Sequence, residues 1–226
     1  MTYVISDLHG RHAAFLSMLK LIHFSDDDLL FLNGDIIDFG EAPLRLLLDV
    51  SYRGNVFPVL GDHEYKARSI LNALYGGGPP ADESEVECWL ENGGESTLRE
   101  MEALSDDQRE SVLDYLSEMP LFEAVCIENV NHIMVHGGLA HFSPKRRMEC
   151  YKAEELVLHH APFGRRYYRN SRILTGHVPT YTLGEWHRGR IVTSPYQIAL
   201  DCGAAEGIAL GCYCMETGDE FYVPIV

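Results

Sequence analysis

The first 60 residues alternate short apolar runs with helical patterns, and this alternation is the strongest constraint on the fold. Apolar runs cover residues 3–6, 29–32 and 56–60, and the segments 13–22 and 41–50 between them carry the periodic apolar stripe of a helix. Parallel neighbouring strands need a crossover connection, which is usually a helix. The alternation therefore predicts a β-α-β-α-β unit with a parallel sheet.

The rest of the chain divides into a helical part and a strand-rich part. Glycines and prolines at 76–80 interrupt the first pattern, and residues 82–119 are helical and acidic. Further apolar runs lie at 122–127, 132–136, 172–174, 197–200, 208–215 and 221–223, with one helix near 152–160. We expect these runs to form a mainly antiparallel sheet packed on the first. The sequence thus predicts an α/β fold in one domain, residues 1–226, with two packed mixed β-sheets flanked by helices and a helical insertion at about 79–120.

Charge and composition exclude several classes of protein. The 226 residues include 18 basic and 34 acidic ones, a formal net charge of −16. Such a field would repel an extended nucleic acid, and no apolar run approaches the roughly 18 residues of a membrane span. The six cysteines are scattered and form no CxxC pair, and the N-terminus has no secretory pattern. We therefore expect reduced thiols and a cytoplasmic location.

Five short blocks place metal-competent side chains directly after predicted strands. The blocks are Asp7-Leu8-His9-Gly10, Gly34-Asp35-Ile36-Ile37-Asp38, Gly61-Asp62-His63-Glu64, His136-Gly137-Gly138 and Gly176-His177. Taken singly, each block has an ordinary interpretation as a turn, a helix start or a buried histidine. Five such blocks in one chain favour a single ligand site to which all of them contribute, because ligands collect at the carboxyl ends of strands in an open α/β sheet.

The blocks contain three aspartates and three histidines that could bind metal ions. Mixed carboxylate and imidazole ligands suit Mn²⁺, Fe²⁺, Zn²⁺ or Ni²⁺. Six protein ligands exceed what one ion with room for water would take, and they suit two adjacent ions that share a carboxylate. Such a pair of ions can hold a hydroxide and clamp the phosphate oxygens of an in-line displacement.

The ordered set D-x-H, GD-x-x-D, GDHE, HGG and GH resembles the calcineurin-like metallophosphoesterases. Within them it is most similar to the phosphoprotein-phosphatase branch, which includes bacterial serine/threonine phosphatases and symmetrical diadenosine-tetraphosphate hydrolases. The segments 89–94 (WLENGG), 97–98 (TL) and 200–204 (LDCGA) also resemble bacterial members. The similarity therefore covers nearly the whole chain.

The resemblance implies a role for each residue of the blocks. The implied metal ligands are Asp7 and His9 for the first ion, Asp35 as the bridge, and Asp62, His136 and His177 for the second ion. His63 would protonate the leaving-group oxygen as general acid, oriented by Asp38, while a metal-bridging hydroxide attacks the phosphorus. This division of work agrees with the chemistry, since a leaving alkoxide needs a proton and a carboxylate behind an imidazole fixes its tautomer.

The sequence departs from the family pattern at two points. The family usually has asparagine where this chain has Asp62, whose full negative charge we expect to tighten metal binding and to make the bridging water harder to ionise. The family's GD-x-x-D block continues with an arginine that grips phosphate, where this chain has Phe39. The candidate replacements are Arg11, Arg146, Arg147, Arg165, Arg166 and His159-His160, for which surface solvation (on a helix, for the histidine pair) is the ordinary interpretation.

Together these features predict a di-metal phosphoesterase. The first interpretation is a phosphomonoesterase of the serine/threonine phosphatase type, acting on a small phosphate ester or a phosphoprotein. A diadenosine-tetraphosphate or nucleotide hydrolase is the second. A metal-binding scaffold with little catalysis is the third, which the absent arginine keeps open and the intact His63 and Asp38 argue against. We expect the insertion to overhang the site as a lid, with Trp89 as its core anchor.

Overall fold

The computed structural model describes all 226 residues, which form ten strands and seven α-helices. The strands are β1 (Thr2–Ile5), β2 (Leu29–Asn33), β3 (Val56–Val59), β4 (Glu123–Ile127), β5 (Val130–Met134), β6 (Ser171–Thr175), β7 (Val192–Thr193), β8 (Gln197–Ala199), β9 (Ala209–Cys214) and β10 (Glu220–Pro224). The helices are α1 (His12–Leu21), α2 (Pro43–Ser51), α3 (Asp62–Tyr75), α4 (Glu83–Trp89), α5 (Glu95–Ala103), α6 (Asp106–Glu118) and α7 (Ala153–Val157). None of the helices has both the length and the apolar character that a bilayer crossing requires.

The first sheet contains the predicted parallel unit. Its strand order is β10-β9-β1-β2-β3, and β1, β2 and β3 pair in parallel. The apolar runs that predict these three strands differ from them by one residue at most at either end. β3 lies at the edge of the sheet, where a strand tolerates a proline such as Pro58.

The second half of the chain differs from the mainly antiparallel sheet that we expected. Its strand order is β4-β5-β6-β8-β7, in which β5 pairs with β6, and β6 with β8, in parallel. The terminal hairpin β9–β10 pairs instead with β1 and completes the first sheet. Apolar runs predict that a strand exists, but its neighbours depend on long-range packing. Both sheets are mixed, which confirms the predicted fold class.

The two sheets pack against each other, and helices cover the first sheet on its other face. Val4 and Phe31 of the first sheet meet Met134 and Leu174 of the second in one buried apolar cluster. A larger cluster joins the opposite face of the first sheet to α1, α2, α3 and the inserted helices. The strands β1 and β2 are buried on both faces, which explains why they read as continuous apolar runs.

Helices α4, α5 and α6 occupy the predicted insertion and share the main core. α6 packs on α2 and α3, and α5 packs on α2. Trp89, Met101 and Val112 from these helices are buried in the same cluster as the first sheet's side chains. Between α4 and α5 the chain turns at Asn92 and Gly93, whose backbone angles are not helical, and Gly93 has a φ of 94°. Glycine adopts this conformation without steric strain.

Candidate active site

The predicted site residues come together at one edge of the sandwich. Asp7, Asp35 and Asp62 follow β1, β2 and β3 of the first sheet, while His136 and His177 follow β5 and β6 of the second. The carboxyl ends of five strands from both sheets therefore meet here, as the general rule for ligand sites in α/β sheets predicts.

The backbone at this edge is held in an unusual conformation. Asp7, His9, Asp35, Asp38 and His177 all have positive φ, between 44° and 70°. Residues other than glycine rarely adopt this region, because it brings Cβ close to the backbone, and such residues cluster at functional sites. The surrounding hydrogen bonds must hold these turns in place.

Glu64 provides much of that support, although its block gave no indication of this role. Its side chain is completely buried and accepts hydrogen bonds from the N–H groups of Gly61, Asp35, Ile36 and Ile37 at 2.7–3.0 Å. One carboxylate thus ties the start of α3 to the loop after β2. Burial and the neighbouring Asp35 raise the pKa of Glu64 to about 7.

A first group of ligand atoms consists of Asp35, His9 and His63. Asp35 Oδ2 lies 3.7 Å from His9 Nε2 and 4.0 Å from His63 Nε2. Burial lowers the pKa of His9 to about 4. Its imidazole is therefore neutral at pH 7, the form that binds a metal ion.

A second group contains Asp35, Asp62, His136 and His177. His136 Nε2 lies 3.3 Å from both Asp35 Oδ1 and Asp62 Oδ1, and His177 Nδ1 lies 2.8 Å from Asp62 Oδ1. Burial opposes the ionisation of Asp35, but the neighbouring His136 holds the pKa of Asp35 below its ordinary value. Asp35 presents one carboxylate oxygen to each group.

Asp7 lies outside both compact groups but has an oxygen available for a ligand. Its Oδ1 accepts the His177 N–H at 2.9 Å, while its Oδ2 is buried without a hydrogen-bond partner. His9 Nδ1 is also buried and unpartnered. Buried polar atoms without a partner are rare in native proteins and call for a bound ion or water. These orphaned atoms, together with three carboxylates and three imidazoles, fit a centre for two divalent ions.

Burial also makes Asp7 sensitive to a nearby cation. Desolvation and the carboxylate of Asp201 raise the pKa of Asp7 well above its ordinary value. A divalent cation beside Asp7 would reverse this effect, because it stabilises the ionised carboxylate.

Hydrogen bonds outside the ligand set orient His136. Its Nδ1 donates to the Asn33 carbonyl at 2.8 Å, so Nε2 is left to face Asp35 and Asp62. The Asn33 side chain in turn donates to the Leu174 carbonyl of the second sheet at 3.2 Å. The tautomer of this histidine is thus set by the contact between the sheets.

His63 and Asp38 form a hydrogen-bonded pair beside the ligand groups. His63 Nδ1 lies 2.7 Å from Asp38 Oδ2, and its Nε2 faces Asp35. Burial favours the neutral imidazole, but the carboxylates of Asp35 and Asp38 raise the pKa of His63 to about 9. An imidazolium held by a buried carboxylate is suited to donate the proton on Nε2. Trp89 and Thr97 of the insertion donate to Asp38 from behind.

Asp62 has a cationic partner that the sequence pattern did not reveal. Lys66 Nζ lies 2.6 Å from Asp62 Oδ2, four residues further along α3. Burial opposes the charge on Asp62, but hydrogen bonds with His136 and His177 hold the pKa of Asp62 below its ordinary value. Lys66 therefore offsets the negative charge that aspartate brings where the family has a neutral side chain.

The candidate replacements for the absent arginine have other partners, with one exception. The partners are Ala204 for Arg11, Glu155 for Arg146, Glu149 for Arg147, Tyr167 for Arg165 and Tyr196 for Arg166. The interpretation of His159-His160 as a pair on a helix surface is wrong, because α7 ends at Val157. The exposed ring of His160 lies 4.9 Å from the ring of His177.

Other residues of the site carry weaker signals in the sequence. Trp89 and Thr97 stand in segments that resemble bacterial family members, but no spacing rule connects them to Asp38. Asp201 stands in the LDCGA segment and is buried, and burial raises the pKa of Asp201 to about 7. Contacts between segments far apart in the chain define all of these roles.

The packed sheets and the ligands at their strand ends define the metal-dependent phosphoesterase class of α/β proteins. The sequence model of the calcineurin-like phosphoesterase family matches residues 2–206. The chain belongs to this family, and the predicted resemblance is confirmed.

Two curated relatives carry the name symmetrical bis(5'-nucleosyl)-tetraphosphatase. The Nitrosomonas europaea protein is 30% identical over 189 residues, which are 82% of this chain and 60% of that protein. The Buchnera aphidicola protein is 29% identical over 163 residues, 70% of this chain and 52% of that protein. The chain thus spans between about half and three fifths of the length of these relatives.

Solved structures show the same fold at low identity. A candidate diadenosine tetraphosphatase gives a TM-score of 0.67 at 19% identity, covering 99% of this chain and 92% of that chain. A protein serine/threonine phosphatase from Saccharomyces cerevisiae gives 0.55 at 14% identity, covering 100% of this chain and 80% of that chain.

Proposed function

We propose that this protein hydrolyses phosphate esters with the help of two divalent ions, Mn²⁺, Fe²⁺, Zn²⁺ or Ni²⁺. The supporting observation is the position of Asp35, which presents one oxygen to each ligand group beside the pair formed by His63 and Asp38. A carboxylate with one oxygen toward each group would suit a centre of two ions about 3.5–4 Å apart.

The protein would supply the ligands and the proton donor. The first ion would be held by Asp7, His9 and Asp35, and the second by Asp35, Asp62, His136 and His177. When bound, the ions would supply a nucleophilic water and neutralise the phosphate oxygens. His63 would give its Nε2 proton to the leaving oxygen while Asp38 holds Nδ1. The exposed His160, whose ring lies 4.9 Å from the ring of His177, would contact a phosphate oxygen in the role that arginine has elsewhere in the family.

A phosphomonoester of an alcohol, such as a phosphorylated serine or threonine, is the first candidate substrate. An alkoxide is a strong base and leaves readily only when it is protonated, whereas a phosphate leaving group is a weak base. The buried, multiply hydrogen-bonded acid pair therefore favours an alcohol as the leaving group. Hydrolysis of such an ester would require both His63 and Asp38.

A dinucleoside polyphosphate is the second candidate, and a separate observation favours it. A cavity of about 580 Å³ between α3 and α4 borders His63, where the leaving group would lie. Its lining includes the cation Arg68 and Asn92, together with Glu85 and with Lys66, which is paired with Asp62. Arg68 would suit the negative charge of a nucleotide leaving group, and two relatives bear the name of such an enzyme.

A substrate panel tests these proposals with the Mn²⁺-loaded protein. The substrates are a phosphoserine peptide, p-nitrophenyl phosphate and diadenosine tetraphosphate, and the products are separated chromatographically. We expect the phosphopeptide to have the higher kcat/KM, and His63→Ala to lower its kcat by about 10²–10⁴-fold. A higher kcat/KM for diadenosine tetraphosphate, with a selective loss in Arg68→Ala, would support the second candidate instead.

The same panel tests the scaffold alternative. Loaded protein that turns over none of the three substrates would contradict the proposed hydrolysis, and a partner protein captured by that inert protein would favour the scaffold.

We further propose that the protein acts in the cytoplasm. Support comes from its six free cysteines, three of them exposed, which suit a reducing compartment.

A further inference from the structure

The helical insertion contacts the acid pair through two side chains, Trp89 and Thr97. Trp89 Nε1 donates to Asp38 Oδ2 at 3.0 Å, the oxygen that also lies 2.7 Å from His63 Nδ1. The Thr97 hydroxyl donates to the other oxygen, Oδ1, and accepts the Asp38 N–H at 3.1 Å. Both carboxylate oxygens and the backbone of Asp38 are therefore engaged.

These contacts leave Asp38 a single orientation. Asp38 and Thr97 are fully buried and Trp89 is 2% exposed, so water cannot replace a lost donor. A carboxylate with both oxygens occupied cannot turn without breaking hydrogen bonds. Because His63 takes its orientation from Oδ2, the direction of its Nε2 depends on Trp89 and Thr97.

The non-helical turn at Asn92 and Gly93 holds Trp89 behind the acid pair. The Phe39 N–H, next to Asp38, donates to the Gly93 carbonyl at 3.0 Å. A Cβ at Gly94 would lie 2.4 Å from the indole of Trp89, so only a glycine allows this packing. The insertion is thus attached to the loop after β2 by a backbone bond as well as by side chains.

We propose that Trp89 and Thr97 are positioning residues that aim His63 at the leaving group, an inference that rests on the proposed phosphate-ester hydrolysis. It gives the insertion a role distinct from that of a lid. Neither side chain belongs to the ligand groups. Removal of either donor should therefore affect the step in which the leaving oxygen takes a proton, and should spare substrates that leave without one.

The test compares leaving groups of different basicity in Mn²⁺-loaded protein. Thr97→Val and Trp89→Phe each remove one donor and keep most of the side chain. Ser96→Ala is the matched control, because the Ser96 hydroxyl donates to the Gly93 carbonyl and not to Asp38. We expect kcat for an alkyl phosphate to fall about tenfold or more in both variants, and kcat for p-nitrophenyl phosphate to fall less than about threefold. Ser96→Ala should leave both unchanged.

A His63→Ala background separates positioning from a general effect on folding. Thr97→Val should cause no further loss on the alkyl phosphate in that background, because the proton donor is already absent. Equal losses on the two esters, or an additive loss in the double variant, would overturn the inference.

A spectroscopic measurement decides the inference without turnover. In metal-free ¹⁵N-labelled protein, the bond from His63 Nδ1 to Asp38 should give a downfield ring-proton resonance that is absent in His63→Ala. It should persist in Ser96→Ala and shift or disappear in Thr97→Val and Trp89→Phe. An unchanged resonance in both variants would overturn the inference. A wild-type protein that hydrolyses neither ester would count against the proposed function. The ring-proton resonance would then be the measurement that tests the positioning inference.

Discussion

Asp62 divides its two carboxylate oxygens between different partners. Oδ1 faces His136 and His177, whereas Oδ2 accepts a hydrogen bond from Lys66. The ammonium group lies on the side away from the histidines and balances the charge of the carboxylate. Asp62 and Lys66 should therefore have opposite effects on the affinity for a bound metal ion.

Lys66→Gln should tighten Mn²⁺ binding, and Asp62→Asn should weaken it, each by about tenfold. The first substitution removes a cation from the edge of the centre, while the second removes an anion and leaves Lys66 unpaired. The double variant should bind Mn²⁺ with an affinity close to that of the wild type. Isothermal titration calorimetry measures all three affinities.

Lys145→Gln serves as the control for this pair, because Lys145 is an exposed lysine outside the site. It should leave Mn²⁺ affinity unchanged. A double variant that binds no better than Asp62→Asn would contradict the prediction, because removal of Lys66 would then have no effect of its own on the bound ion.

Asp201→Asn should change how the stability of the metal-free protein depends on pH. The folded-state pKa of Asp201, about 7, exceeds its ordinary value of 3.8 because of burial. The folded protein therefore binds more protons between these values, so the contribution of Asp201 to stability is complete below about pH 4 and is lost as the pH rises through about 7. Asparagine carries no such charge. Urea unfolding should find the variant more stable than wild type at pH 8, by about 4 kcal/mol at most, with the gap closing toward pH 4.

Asp27→Asn, at an exposed aspartate, is the matched control and should alter stability by less than about 0.5 kcal/mol at both pH values. If the gap between Asp201→Asn and wild type were the same at pH 4 and pH 8, Asp201 would not be the titrating group.

The candidate ligand residues could be predicted to lie together, because each stands in a short block that follows an apolar run and contains a glycine. The pairing of Lys66 with Asp62 could be predicted only by assuming that a helix begins at Asp62. A lysine four residues after an aspartate is common, and the two side chains are neighbours only on a helix. Asp201 follows the apolar run 197–200, but that position alone does not predict that its carboxylate is buried. Its environment depends on the packing of a loop against the strand ends.

Glu64 joins helix α3 to the loop after β2. Its two oxygens accept four backbone N–H groups, including those of Asp35 and Gly61. Glu64→Gln should destabilise the protein by about 2–4 kcal/mol, because the amide nitrogen would face buried donors and leave them without an acceptor. Urea unfolding measures the loss, and Mn²⁺ affinity should fall with it as the Asp35 turn relaxes.

Glu102→Gln changes an exposed glutamate on α5 and should affect neither property. Native-like unfolding of Glu64→Gln would mean that the loop after β2 is held by other contacts.

Elements whose partners are near in the chain could be predicted, and those with distant partners could not. The parallel unit β1–β3 follows from alternation, because each crossover helix returns the chain to the neighbouring strand. The hairpin β9–β10 looks like a continuation of the second sheet, yet it pairs with β1, some 200 residues away. The α4–α5 junction also has a distant partner, because the Gly93 carbonyl of its turn accepts the Phe39 N–H.

The candidate ligands come from both sheets, so a bound ion would link the two sheets. Mn²⁺ at about 100 times its dissociation constant should add about 2.7 kcal/mol of stability. For a chain of this size that raises Tm by about 5–10 °C. Asp35→Asn should abolish the shift, because both ligand groups contain Asp35. Differential scanning calorimetry with and without Mn²⁺ measures it.

Asp27→Asn, just before the amino end of β2 and so at the opposite end of that strand from Asp35, should retain the full shift, and a chelator should reverse it. An equal shift in Asp35→Asn and wild type would place the stabilising ion elsewhere on this acidic surface.

Asn33 lies where the two sheets touch. Its side chain donates to the Val135 and Leu174 carbonyls of the second sheet, and its own carbonyl accepts from His136 Nδ1. The chain order places Asp7, His9, Asp35 and Asp62 before the end of α3, and His136 and His177 after β5. A ribosome therefore delivers the carboxylates first, as a cluster of like charges with a single imidazole ligand among them. The proposed ligand set is complete only after the later strands have docked on Asn33, so we expect capture of both ions to require synthesis beyond His177.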